Sequence, residues 1–134
     1  VSNTDTTPSE KEFDEVNLAK HYNVHPSGIE AINLVRCLNF NMGCALKYVM
    51  RRHGKEYVRS LKSAEYYLKD QHVSGNVMIQ NYAIFRLVDD YVQGEEVRQA
   101  ATFYRAFSGY LNLPSQRNFD MMMGSLDRLL EDRL

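Results

Sequence analysis

From about Pro26 to the C-terminus, apolar residues recur at three- and four-residue spacing and no stretch shows strand-like alternation. This periodicity constrains the fold most. With about 3.6 residues per turn, each such segment turns one apolar stripe toward a neighbour, and several stripes share a core only by stacking as helices. The reading is an all-α protein, a compact bundle of about five to six short helices. The three prolines, Pro8, Pro26 and Pro114, all stand at plausible boundaries, so none interrupts a periodic segment.

The segments follow one another with little between them. A first helix is expected near Pro26-Ser27, with Ala31, Ile32, Leu34, Val35 and Leu38 inward and Glu30, Asn33 and Cys37 on the other side. A second is predicted over 41–53, ending at Gly54, with Ala45, Leu46, Val49 and Met50 as its apolar arc. A third, over 56–71, buries Tyr57, Leu61, Ala64 and Leu68 and ends before the turn residues Ser74-Gly75-Asn76. The fourth is predicted over 76–92, with Met78, Ile79, Tyr82, Phe85 and Val88 on its apolar face. The fifth follows Gly94 and uses Val97, Ala100, Ala101, Tyr104 and Leu111. The last opens at Pro114-Ser115, where Ser115 is a fair N-cap, and uses Phe119, Met122, Met123, Leu126, Leu129 and Leu130.

Ahead of these lies VSNTDTTPSEKEFDEVN, residues 1–17, polar, acidic and poor in large apolar groups. Such a segment has little burial to offset its ordering entropy, and it is read as a flexible arm. The remaining 18–134 form one helical domain, since 134 residues with 44% hydrophobic content suit a single core.

Net charge is only -1, so any electrostatic function must come from how charge is distributed. Seven basic residues fall between Lys47 and Lys69 (Lys47, Arg51, Arg52, Lys55, Arg59, Lys62 and Lys69) against Glu56 and Glu65. The opening 26 residues lean the other way, with Asp5, Glu10, Glu12, Asp14 and Glu15 against Lys11 and Lys20. Gly43, Lys47 and Arg51, continued by Lys55, form an i, i+4 stripe on the second helix. An ammonium and a guanidinium one turn apart, with a glycine before them to admit something bulky, suit a phosphate group. A solvated face of a surface helix is the plain alternative, for charge runs of this size are common. His21 and Tyr22 can serve a base or phosphate through a ring nitrogen, a hydroxyl or stacking, or can simply dock the segment that carries them. Glu30 can pair with Lys47 or Arg51, accept a ligand hydrogen bond, or be an ordinary surface carboxylate.

Other chemistries lack their residues. Neither GxxxxGK[ST] nor GxGxxG occurs, so no phosphate-cradling loop is written in the chain. The acids do not form the repeated ExxE and ExxD pattern of a helical magnesium-dependent pyrophosphatase, His21, His25, His53 and His72 lack HExxH spacing, and GxSxG is missing; no metal or other cofactor is called for. Cys37 and Cys44 suit neither a redox pair nor a zinc knuckle and are read as reduced thiols. No apolar run approaches the roughly 20 residues of a membrane span, and the expected setting is cytoplasmic. Met121 to Met123 read as core filler or an oligomer contact.

An ordered series of short motifs adds to this. His21-Tyr22, then GIEAI (Gly28 to Ile32), then Phe40, Gly43, Ala45 to Tyr48, Arg51 and Lys55, then Leu61, Ala64 and Tyr66 to Leu68 resembles the small phage-encoded nucleotide kinase family over about residues 20–71. The resemblance implies an all-helical, oligomeric protein that binds deoxynucleoside monophosphates and moves a phosphoryl group without a P-loop. It assigns catalysis to Lys47 and Arg51, and substrate contacts to His21, Tyr22, Glu30, Gly43, Tyr48 and Lys55. It makes 18–72 the nucleotide-binding half and 73–134 a helical extension for assembly. The chain departs from the pattern at Cys44, at Arg52-His53-Gly54, and at Ser60 and Ser63, where polar groups of the family are missing.

The leading expectation is therefore nucleotide binding with phosphoryl transfer, in the cytoplasm of a host cell if the chain is phage-encoded. The alternative is a non-enzymatic phage accessory protein that sequesters a nucleotide signal or binds a host protein. Nucleic-acid binding by the basic stretch is the weakest reading, because net charge is near zero. A homo-oligomer is expected from Phe103, Tyr104, Phe107 and Tyr110, more aromatic surface than a short bundle readily covers.

Overall fold

The computed structural model describes residues 25–133. These form six α-helices: α1 (Ala31–Val35), α2 (Phe40–Met50), α3 (Tyr57–Ser74), α4 (Ile84–Gly94), α5 (Arg98–Asn112) and α6 (Gln116–Glu131), with a 3₁₀ turn at Gly54–Glu56. No strand occurs among the described residues, only an isolated antiparallel bridge between Leu38 and Ile79. The all-α bundle is thus as the periodicity predicts. The arm expected over 1–17 lies outside the described residues.

Two helical hairpins make the frame. In the first, α2 packs on α3, and in the second α5 packs on α6. Helix α3 then packs on α6, α4 on α5, and the short α1 joins α2 to α4, which closes the contacts into a ring. The α3–α6 seam is pinned at both ends. Near one, Tyr57 Oη donates to the Leu129 carbonyl at 2.8 Å. Near the other, the His72 ring stacks on Phe119 with centroids 4.0 Å apart, its Nδ1 lies 2.7 Å from Tyr110 Oη, and its Nε2 donates to Gln116 Oε1 at 3.0 Å.

Helix α5 supplies the centre of the core. Its Ala100, Phe103, Tyr104, Phe107, Tyr110 and Leu111, spaced i, i+3, i+4, i+7, i+10 and i+11, are all buried. Full burial of each such aromatic contributes about 1.5–3 kcal/mol. This removes the ground on which an oligomer was expected: the aromatics that looked like surplus surface are covered within the single chain. The large apolar residues that do remain exposed include Phe40, Tyr66, Val77 and Tyr82.

The sharpest departure from periodicity is at 76–83, predicted as helix and found as an extended loop. Asn39 and Gln71 explain it. Asn39 caps α2 by accepting from Met42 N at 2.9 Å, and its Nδ2 donates to Gln71 Oε1 (2.7 Å) and the Val77 carbonyl (3.0 Å). Gln71, buried at 1% exposure, in turn donates to the Asn76 carbonyl at 2.7 Å. Backbone bonds from Asn39 N to Met78 O and from Gln80 N to Cys37 O, both 2.8 Å, complete the clamp. A loop whose amides and carbonyls are so engaged has no need of helical partners. The chain enters it through Gly75, whose φ of 65° ends α3 in the left-handed conformation that glycine adopts without penalty.

Helix α1 is likewise shorter than predicted. It stops at Val35, Cys37 turns inward rather than outward, and Ile32, expected in the core, is 51% exposed.

Candidate functional site

Of the sequence-selected residues, Lys47, Tyr48, Arg51 and Lys55 fall on the α2–α3 hairpin and on the turn that joins its helices. Lys47 is half-buried on α2, and its Nζ lies 5.1 Å from the centroid of the Tyr48 ring. That ring stacks on Tyr67 of α3 with centroids 6.0 Å apart and planes 8° from parallel. Phe40 and Tyr66 meet the same Tyr67 edge-on, at 5.8 Å and 5.3 Å. Phe40 and Tyr66 are 73% and 66% exposed, so the cluster is an aromatic platform open to solvent with a cation on it. Loss of hydration, ahead of the Cys44 thiol and the Tyr48 and Tyr66 hydroxyls, holds the Tyr67 phenol above its ordinary pKa.

Arg51, the C-cap of α2, is exposed, and Lys55 is exposed in the 3₁₀ turn that follows. Neither has an acid within ion-pair distance among the described residues. Further along α3, Lys62 and Lys69 both lean on Glu65, at 3.7 and 3.6 Å. The unneutralised charge therefore concentrates at the Lys47, Arg51 and Lys55 end of the basic stretch.

Two sequence-selected residues take structural positions. Gly43 is buried and turned toward α1: a Cβ there would lie 3.1 Å from Val35 Cγ1, so the space it leaves is already filled by Val35. Glu30 is the N-cap of α1, its N–H donating to Asn33 Oδ1 at 2.9 Å. His21 and Tyr22 lie outside the described residues.

Phe40 and Tyr67 entered the sequence reading only as motif positions and not as candidate contacts, although the adjacent tyrosines 66 and 67, one outward and one on the seam, were a usable signal. Arg52 was likewise read only as part of the basic run and of a departure from the motif. One residue beyond exposed Arg51, Arg52 is only 8% exposed, and its Nη1 donates to the Val49 carbonyl (2.8 Å) and to Tyr104 Oη (3.2 Å). Nothing in a local pattern marks a lone arginine for burial.

Around Arg52 the fold gathers a polar knot. Tyr104 stands edge-on to Tyr91 at 5.3 Å, and His25 stacks on Tyr91 with centroids 3.6 Å apart. His25 Nδ1 lies 2.8 Å from Ser27 Oγ, and its buried Nε2 makes no hydrogen bond and sits 3.4 Å from Glu95 Oε1. Burial pushes the Tyr104 phenol up to about 12 although Arg52 pulls it down; burial, then Tyr104 and Glu95, raise Tyr91 further. A Cβ on Gly94 would come within 2.5 Å of Ser27 N, so only glycine lets residues 25–29 lie this close to the end of α4. The knot fastens the start of the described chain to the bundle.

Among the described residues no group of three His, Cys, Asp or Glu side chains is placed to hold a metal ion, and no helix is long and apolar enough to cross a membrane. Comparison with protein-family models, with characterised proteins and with solved structures finds no match.

Proposed function

We propose that the protein binds a nucleotide on the outer face of the α2–α3 hairpin, the base against the Phe40, Tyr48, Tyr66 and Tyr67 rings and the phosphate on Lys47, Arg51 and Lys55. The observation that carries this is Lys47 held at 5.1 Å over Tyr48, with Arg51 one helical turn away and without an acid partner. Aromatic faces accept bases of any kind, and each stacked base contributes about 1–3 kcal/mol. A guanidinium adds a planar two-point grip on phosphate that an ammonium lacks. The motif resemblance over residues 20–71 points to the same ligand class.

Binding is better supported than phosphoryl transfer. Transfer depends almost wholly on positioning and electrostatic stabilisation in a site that excludes water. The rings here lie on an exposed face, and Gly43, the residue expected to open space for a substrate, is packed against Val35. A protein that holds a nucleotide without turning it over is the reading that fits.

Calorimetric titration with each of the four deoxynucleoside monophosphates, and with ATP, tests it. Saturable binding that weakens by about tenfold or more in the Lys47→Ala/Arg51→Ala double variant is expected, since hydrogen bonds to charged groups contribute about 1.5–3 kcal/mol. An unchanged affinity in a variant that melts like the parent would remove the site. Incubation with radiolabelled ATP and each monophosphate separates the two activities: label carried to the acceptor would establish a kinase.

A further inference from the structure

The aromatic face of the α2–α3 hairpin has two chemically different ends. At 100° per residue, Phe40, Asn41, Cys44, Lys47, Tyr48 and the C-cap Arg51 share one arc of about 120° on α2. The cations occupy the end of this arc nearer the 3₁₀ turn. At the other end, Asn41 Nδ2 donates across the hairpin to Asp70 Oδ2 of α3 at 2.8 Å. Asp70 stands about one turn beyond Tyr67, the ring that joins Phe40 to Tyr48. Along the face the order is therefore a carboxylate–amide pair, a row of rings, and then Lys47 and Arg51.

Asp70 is exposed and has no cation within ion-pair distance among the described residues. Its Oδ1 and Asn41 Oδ1 accept no hydrogen bond there either, so two acceptors remain open beside the rings. A tie between two helices needs only one acceptor and no charge. The spacing gives the rest a use. Asn41 precedes Lys47 by six residues, an axial distance of about 9 Å, close to the reach of a nucleoside monophosphate from its base edge to its phosphate. A phosphate on Lys47 and Arg51 thus brings the edge of a base lying over the rings to Asp70.

We infer that Asp70, oriented by Asn41, selects guanine as the base, an assignment that rests on nucleotide binding at the α2–α3 face. Guanine carries two parallel donors on one edge, the ring N1–H and the 2-amino group, and a carboxylate accepts both at once. Asp70 Oδ2 keeps a second lone pair for this while it accepts from Asn41. Adenine and cytosine set a bare ring nitrogen beside their amino group, which turns a lone pair toward the carboxylate. Thymine flanks its single N–H with two carbonyl oxygens, to the same effect. Three bases meet repulsion where guanine meets a two-point bond, and rejection of rivals is half of specificity.

The test is calorimetric titration of the full-length chain with dGMP, dAMP, dCMP and dTMP, and with dIMP, which lacks the 2-amino group. Binding of dGMP is expected to be about tenfold or more tighter than that of the other three natural nucleotides, with dIMP between. Asp70→Asn keeps an acceptor for the Asn41 amide but loses the charge and the second carboxylate oxygen. It should bring the four natural nucleotides within about threefold of one another, where a purely structural role would leave their ranking unmoved. If that variant melts below the parent, the comparison of dGMP with dIMP on the unaltered chain decides. Equal affinity for all the bases, with Lys47→Ala/Arg51→Ala still weakening each, would overturn the guanine assignment and leave nucleotide binding standing. A guanine preference that survives in Asp70→Asn, or dIMP binding as tightly as dGMP, would overturn it too. Absence of binding by every nucleotide would remove both.

Discussion

The two hairpins of this bundle are built from the same helical period and use their surfaces in opposite ways. In α2–α3 the aromatic residues Phe40 and Tyr66 lie toward solvent and Tyr48 and Tyr67 are only partly buried beside Lys47, while small and aliphatic residues fill the core side of the seam. In α5–α6 the aromatics Phe103, Tyr104 and Phe107 are entirely inside, and the outward side is a groove edged with arginine. Their glycines differ in the same sense. Gly43 allows α1 and α2 to approach, while Gly124 lies open to the groove. A ring or a glycine in a helix has no fixed meaning until the neighbouring helix is placed.

Truncation should expose that contrast most strongly in the core. Phe103→Ala is expected to cost about 3–5 kcal/mol, whereas Phe40→Ala, at a ring 73% exposed, should stay within about 0.5 kcal/mol while lowering nucleotide affinity. Urea denaturation of both variants checks this, and comparable losses would erase the distinction between the hairpins.

An alkaline effect of the next size should arise chiefly on the α5 side. Tyr104 has its pKa pushed up to about 12 in the folded chain, against about 10 when unfolded. Below pH 10 it is protonated in both states and contributes no pH dependence. Between pH 10 and 12 the unfolded chain ionises first, so stability falls with rising pH by on the order of 2–3 kcal/mol, and Tyr91 adds in the same direction. Denaturation midpoints at pH 9, 10, 11 and 11.5 measure it, and Tyr104→Phe should flatten the decline.

The glycines sharpen the comparison at smaller scale. Gly43→Leu should overpack the α1–α2 contact and destabilise by about 1–3 kcal/mol, because Val35 and its backbone hold the space. Gly124→Ala should do the reverse and stabilise by roughly 0.5–1 kcal/mol, having a helical gain and nothing to strike. Thermal melts that moved both variants in one direction would mean the two glycines play one role after all.

Much of the architecture was legible because an apolar stripe at helical spacing must be buried against something. Leu61, Ala64 and Leu68 on α3, and Met122, Leu126, Leu129 and Leu130 on α6, are buried as their spacing predicts, and Ser115 caps α6 by accepting from Asn118 N at 3.1 Å. The stretch 76–83 was misjudged because its period-like apolar residues are held by Asn39 and Gln71, partners 32 positions apart. The candidate face was legible in part. Lys47, Tyr48, Arg51 and Lys55 could be named from charge and spacing, but the Tyr67 ring that completes the platform comes from another helix.

Arg51 and Arg52 show where local information ends. They are chemically identical neighbours, yet one is exposed and the other is buried against Tyr104, a residue 52 positions away. By itself the sequence determined the helical class, the larger number of the helix limits and the stripes that α2, α3 and α6 bury, since those depend on backbone hydrogen bonding and on apolar surface leaving water within a few turns. The tertiary structure alone decided which cation is buried, which glycine leaves open space and which rings face solvent, because each depends on atoms that distant parts of the chain bring within a few ångströms.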